Sequence, residues 1–301
     1  MTNVVSLGVA HRPLRQTAPS KPSPLDFVAY ERPLWYEGAT GTKYNNSGHK
    51  ALVRMKDGQP VCLNVVQDSY KVVQNKDLFE QIDRNICEGV GTQAFDNAEI
   101  FEQIAYEGRT CIREYRFPDI KVDSPERDKI CFRIIALNGF GGSAIKVIAG
   151  AIDFFCMNGV IRGEYTREYG RHTTGLQLAK FGDQVRKSID VFWKDRELWT
   201  EMRQTTIKDD EKVIKWLNEK FGDRLGAKLY RQYLIEQKSR GGTNFWALYS
   251  ALTYYASHAD GDFTLRKTGN DHAATTMLGR EAAVRSQLVS GAWDELMKEA
   301  A

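Results

Sequence analysis

The chain has 301 residues, 42 Lys and Arg against 39 Asp and Glu, a net charge of +3 and a 42% apolar content. That length allows a substantial core in one large domain or two ordinary ones, and the composition is that of a soluble globular protein, not a disordered or fibrous one. The near-balance of charge excludes a broadly basic nucleic-acid binder unless its cations gather on one face. No apolar run approaches the roughly 20 residues of a membrane span and no signal-peptide core opens the chain, so the expected location is the cytoplasm, without a membrane partner.

Residues 1–24 combine His11, Arg12, Arg15 and Lys21 with several prolines and few apolar residues after Val9. Such a segment buries too little surface to offset its ordering entropy and reads as a flexible basic arm. Phe27 to Tyr36 groups Tyr30, Trp35 and Tyr36 with Arg32, and Tyr44 to His49 reads as a polar turn. Ala51 to Met55 and Pro60 to Val66 alternate around Lys56-Asp57-Gly58, a hairpin signal. Asn75 is a candidate N-cap for a helix in which Leu78, Phe79, Ile82 and Ile86 recur at helical spacing, ended by Gly89-Val90-Gly91. From Ala94 the pattern turns to strands, Glu99 to Tyr106 and Thr110 to Phe117, followed by a polar loop from Pro118 to Lys129. Arg113 and Arg116 lie three apart in one strand and so cannot share a face without a bulge.

Two apolar runs, Ile130 to Leu137 and Ala144 to Cys156, flank the glycine-rich turn Asn138 to Ser143 and read as a hairpin, with a bulge or bend expected at Gly150. Cys156-Met157-Asn158-Gly159 makes the next turn, and Arg171-His172-Thr173-Thr174 leads into a long amphipathic helix opening at Gly175. Phe181, Val185, Ile189, Phe192 and Trp199 form its apolar stripe. Asp209-Asp210 caps a helix with Val213, Ile214, Leu217 and Phe221; a third carries Leu225, Leu229, Tyr233 and Leu234 and ends at Arg240-Gly241-Gly242. Thr243 or Asn244 caps a fourth, apolar nearly all round and therefore central to its half, and Gly279 to Glu299 reads as one last helix. The expected architecture is a single α+β domain over 25–301: a β-rich half, 25–174, with antiparallel hairpins, then a helical half, 175–301.

The segments Leu137-Asn138 with its glycine and serine turn, Cys156-Met157-Asn158-Gly159, Arg171-His172-Thr173, Ser69 to Asn75 and Trp246 to His258 together resemble the phage, prophage and plasmid family called domain of unknown function 932. The resemblance spans roughly Val61 to His258 and implies a mobile-element setting. The family pattern carries His-Asp in the first turn where this chain has Phe140 and Gly141, so no catalytic pair is assigned there.

Nucleotide hydrolysis has no visible machinery, and an enzyme using His172 with Cys156 or Asn158 ranks last of three readings. The five cysteines lack Cys-x-x-Cys spacing and read as reduced core thiols, with no ligand set for a metal. Gly139, Gly141 and Gly142 do not match a dinucleotide or P-loop fingerprint, so no cofactor is expected. His172 at a helix entrance is either an anion contact or part of a cap. The remaining signal is aromatic and basic side chains interleaved, the chemistry that holds single strands by stacking and phosphate contacts. Tyr165, Arg167, Tyr169, Arg171 and His172 gather on one connector, with Tyr165, Arg167, Tyr169 and Arg171 on one face if that connector is extended. A second group, Tyr230, Arg231, Tyr233, Lys238 and Arg240, precedes the central helix, and a third comprises Phe263, Arg266, Lys267, His272, Arg280 and Arg285. The expected function is non-catalytic binding of single-stranded nucleic acid in replication or recombination, with Arg266 and Lys267 as further phosphate contacts. The alternative is a protein-interaction module that redirects or inhibits a host factor.

Overall fold

The computed structural model describes residues 22–123, 129–141, 145–153, 159–160, 167–170, 181–258, 261–264 and 273–301. The architecture is α+β, with antiparallel sheets in the N-terminal half and helices after them. Of the segment expected to be an arm, the part that is described is already docked: the Ser23 hydroxyl donates to Glu102, and Leu25 is buried.

The first sheet has three antiparallel strands in sequence order, β1 (Tyr30–Glu37), β2 (Lys43–Lys56) and β3 (Gln59–Gln67). The β2–β3 turn places Asp57 at φ 51° and Gly58 at φ 77°, the left-handed pair that a tight hairpin requires. Tyr44 to His49 lies inside β2 instead of forming a turn, with Tyr44 paired to Tyr36 and Asn45 to Trp35. A strand with solvent on both faces has no apolar alternation to betray it. Leu52, Leu63 and Val66 point into the core, while Tyr30, Met55, Val65 and Cys62 are exposed.

The second sheet orders β4 (Glu99–Ala105), β5 (Thr110–Asp123), β6 (Lys129–Gly139) and β7 (Ile145–Asp153) as neighbours. Two short strands, β8 (Gly159–Val160) and β9 (Arg167–Gly170), pair with successive stretches of the far edge of β7. The expected polar loop after Phe117 is corrected: β5 continues to Asp123 past a register shift between Phe117 and Lys121, because Ile120 and Val122 are buried. No bulge occurs at Gly150, which sits in regular register opposite Arg133.

Register separates the two faces of this sheet. One carries Cys111, Tyr115, Phe117, Phe132, Ile134, Ala136, Val147 and Ala149, all buried, and is covered by α1 (Asn75–Val90) and α3 (Phe181–Gln204). The helices close tightly, since a Cβ on Gly89 of α1 would stand 2.6 Å from Val185 of α3. Gln74 holds the N-cap position of α1 without a side-chain capping bond, and Asn75, the expected cap, is the first helical residue and is buried. Its amide donates to the Leu25 carbonyl at 3.1 Å and accepts from Asn138 at 2.9 Å. After α1 comes a short helix, α2 (Thr92–Asp96), which the sequence reading lacked, and then the strand expected from Glu99.

Rings stepping from Phe132 to Phe192, Trp199 and Trp246 carry one continuous core from the sheet into the helical half. There α4 (Asp210–Phe221), α5 (Asp223–Ser239) and α6 (Phe245–Ser257) pack in succession. Asp209 caps α4, accepting from the Glu211 and Lys212 amides, and Asn244 caps α6 through the Ala247 amide. Nearly all of α6 is buried, while Ile214 and Leu234, read as core, are exposed and Trp216 takes a core place. The expected last helix is two, α7 (Ala273–Leu288) and α8 (Gly291–Glu299), broken at Val289-Ser290. Glu281 of α7 accepts from buried Arg133 at 2.7 Å, which ties this helix to the other face of the second sheet. No helix among the described residues is long and apolar enough to cross a membrane.

Candidate nucleic-acid interface

β9 is extended, as the alternation of Arg167 and Tyr169 requires, and its register defines the surroundings of those positions. Arg167 lies opposite Ile148 and Tyr169 opposite Lys146, whereas Glu168 and Gly170 lie opposite the core residues Val147 and Ile145. Directly opposed residues share a face. Positions 167 and 169 therefore fall on the face away from α1 and α3, in rows that run across the sheet through Ile135 and Ile148, and through Leu137 and Lys146. Tyr165, Arg171, His172, Arg266 and Lys267 lie outside the described residues, as do Cys156 and the start of the helix expected at Gly175.

The helical half brings two of the sequence groups together. An open groove of about 590 Å³ runs between the first turns of α5, the end of α6, the 3₁₀ turn Gly261–Phe263 and α7. Arg224, Lys228 and Arg231 follow at i, i+4 and i+7 along α5, so they share a stripe. Arg224 and Lys228 line the groove. Lys228 donates to the Asp262 carbonyl at 2.5 Å, and Arg231 pairs with the Asp262 carboxylate at 3.3 Å, both partners well exposed. Arg224 is exposed and makes no ion pair among the described residues.

Tyr255 and Phe263 supply the aromatic wall, 5.2 Å apart, and Tyr254 stacks on His258 at 4.3 Å. Arg280 has a structural part: its guanidinium lies 4.8 Å over the Tyr255 ring and donates to the carbonyls of Tyr255, His258 and Phe263. It pins the groove open and has few donors left for a ligand. Arg224 and Lys228 were missed by sequence reasoning, although their helical spacing with Arg231 was there to be read.

α7 connects the two places. Arg280 faces the groove, and the next residue, Glu281, bonds Arg133 on the sheet face that carries positions 167 and 169. The other buried ionisable groups are structural in character. Arg113 donates to Glu102 at 2.7 Å and to Asp83 at 3.1 Å, and the Tyr115 hydroxyl donates to Asp83 at 2.5 Å. Burial raises the Asp83 carboxyl above its ordinary range, against the pull of Arg113 and Tyr115. Burial also pushes the Cys111 thiol up to about 12, which makes it inert. The reading of all cysteines as core thiols holds for Cys111 and Cys131 but not for Cys62, exposed on β3, or Cys87, half-buried. Among the described residues no cluster of His, Cys, Asp and Glu is placed to hold a metal.

With this geometry in hand, comparison with protein families matches the chain to the family described as Domain of unknown function (DUF932), over residues 62–280, more than half of the chain. The chain belongs to that family. The DUF932 match begins within β3 and ends at Arg280, so it takes in the whole second sheet and the groove but leaves out β1, β2 and α8. Comparisons with curated proteins and with solved structures gave no match.

Proposed function

We propose that this DUF932 protein binds single-stranded nucleic acid without catalysis, in the replication or recombination of a phage or other mobile element. The observation that carries the reading is the cationic pair Arg224 and Lys228 beside Tyr255 in an open groove, with Arg231 next on the same helical stripe. Cations tracking a backbone next to aromatic rings hold single strands with little sequence preference. The net charge of +3 fits a local contact and not a charged surface throughout. The β9 positions Arg167 and Tyr169, on the sheet face to which α7 is tied, support a path that continues past that helix.

Fluorescence anisotropy with a labelled oligonucleotide across a salt series tests this. Replacing Arg224 and Arg231 together by Ala is expected to weaken binding and to reduce the salt slope by about 1.4, the loss of two single-strand phosphate contacts. Unchanged affinity and slope would remove the groove from the interface.

A second reading, a module that binds a host protein, is favoured by the first sheet, where Trp35, Tyr36 and Tyr44 stand exposed and Tyr36 stacks on Tyr44 at 5.3 Å. Capture of a partner from nuclease-treated lysate that persists in high salt, and is lost with Trp35→Ser, would favour it.

A further inference from the structure

We infer that the corner between β2 and the β4–β5 turn is an oxyanion site for a phosphate group, built on Arg54 and Lys56. Arg54 leaves the core-facing side of β2, and only 7% of its side chain is exposed. Its guanidinium lies 4.7 Å over the Phe27 ring and against Gly108, where a Cβ would stand 3.1 Å from Nε. Nε is buried without a partner. Among the described residues the sole ionic neighbour is the Glu107 carboxylate, 3.8 Å from Nη2 and beyond hydrogen-bonding reach.

A guanidinium carries five N–H donors in a planar fork, and burying it without acceptors is costly. Arg133, equally buried, shows the usual solution: its Nη2 donates to Glu281 at 2.7 Å. Glu107 does not serve Arg54 in that way: it stays 3.8 Å away while its Oε2 accepts from Lys56 Nζ at 2.7 Å. The backbone holds Glu107 there, in a turn whose successive φ angles are 54° at Tyr106, 59° at Glu107 and 94° at Gly108. Two cations thus face one carboxylate that reaches only one of them.

A phosphate has oxygens enough to meet the guanidinium fork and the ammonium together, which a single carboxylate cannot do from this position. Lys56 and Glu107 are about half exposed, so the mouth is open to solvent and Glu107 can turn outward as the anion enters. The same turn touches the first turn of α7, where Thr275 donates to the Tyr106 hydroxyl at 3.3 Å. The site is distinct from the α5 groove and stands whether or not that groove binds nucleic acid.

The test uses the full chain and inorganic phosphate. Melting temperature is followed against potassium phosphate, with potassium chloride at matched ionic strength as reference, for the wild type, Arg54→Met, Lys56→Gln and Glu107→Gln. The expected result is a phosphate-specific rise for the wild type and about tenfold weaker phosphate binding in Arg54→Met and Lys56→Gln, as befits loss of a charge-assisted contact. Glu107→Gln should bind more tightly. Lys56 is on the surface, so its variant decides the matter even if Arg54→Met fails to fold. No phosphate-specific rise in the wild type, or a wild-type response in Lys56→Gln, would overturn the site. Phosphate that displaces a labelled oligonucleotide assigns the site to the nucleic-acid backbone; phosphate that binds without displacing it assigns the site to the free ion.

Discussion

Every residue of β6 from Ile130 to Ala136 is buried, whereas no residue of β1 is. Both are strands of antiparallel sheets, and their sequences differ accordingly. β6 is close to a continuous apolar run because α1 and α3 cover one face and α7 reaches the other. β1 mixes Glu31, Arg32, Trp35 and Tyr36 because its sheet is packed on one side only and its edge is open. The contrast shows that in this molecule stability is concentrated in the second sheet, while the first sheet carries exposed apolar side chains that do little for folding. Those exposed aromatics are what the proposed protein-binding reading rests on. The family match follows the same division, taking all of the second sheet and little of the first.

The largest expected effect comes from the buried strand. Phe132→Ala removes the ring that joins the sheet to Phe192 and should cost about 3–5 kcal/mol, whereas Met55→Ser on the exposed sheet should change stability by less than about 0.5 kcal/mol. Urea unfolding measures both, and similar costs would break the comparison. Next is the tie between sheet and α7. Arg133→Ala strands Glu281 and should cost about 3 kcal/mol, with part of that recovered in the double variant with Glu281→Gln. Strictly additive costs would show that α7 does not depend on the pair.

The smallest effect is one of pH. Cys111 has an ordinary thiol value of 9.0, raised by burial to about 12 in the folded chain. Between these values the unfolded chain releases a proton that the folded chain keeps. The contribution of Cys111 is therefore complete below pH 9 and is lost as pH rises toward 12, at about 1.4 kcal/mol per unit. Comparing wild type with Cys111→Ala from pH 8 to 10.5 should give a flatter slope for the variant. An unchanged slope in Cys111→Ala would show that the thiol is not kept protonated by the fold.

The readings that held rest on local chemistry. Asp57-Gly58 makes its hairpin because that pair tolerates left-handed φ, and Asp209 and Asn244 cap helices because their side-chain oxygens reach amides one turn on. The readings that failed needed knowledge of what packs where. Tyr44 to His49 looked like a turn because its strand is solvated, and Asn75 looked like a cap although Leu25 and Asn138 draw it inward. Arg224 and Lys228 were overlooked because on their own helix they resemble an ordinary solvated face. They become a groove wall only when the turn at Gly261–Phe263 folds against them.

By itself, the sequence determined the β-rich half followed by a helical half, the β2–β3 and β6–β7 hairpins, the centrality of α6 and the family, since each is written in residues a few positions apart. The tertiary structure alone decided that Arg133 and Glu281, 148 positions apart, would clasp a helix to a sheet. It also decided that Arg54 would be buried without an acceptor. Both depend on which surfaces meet, and in a chain of balanced charge the pairing of distant charges is settled by the geometry of packing.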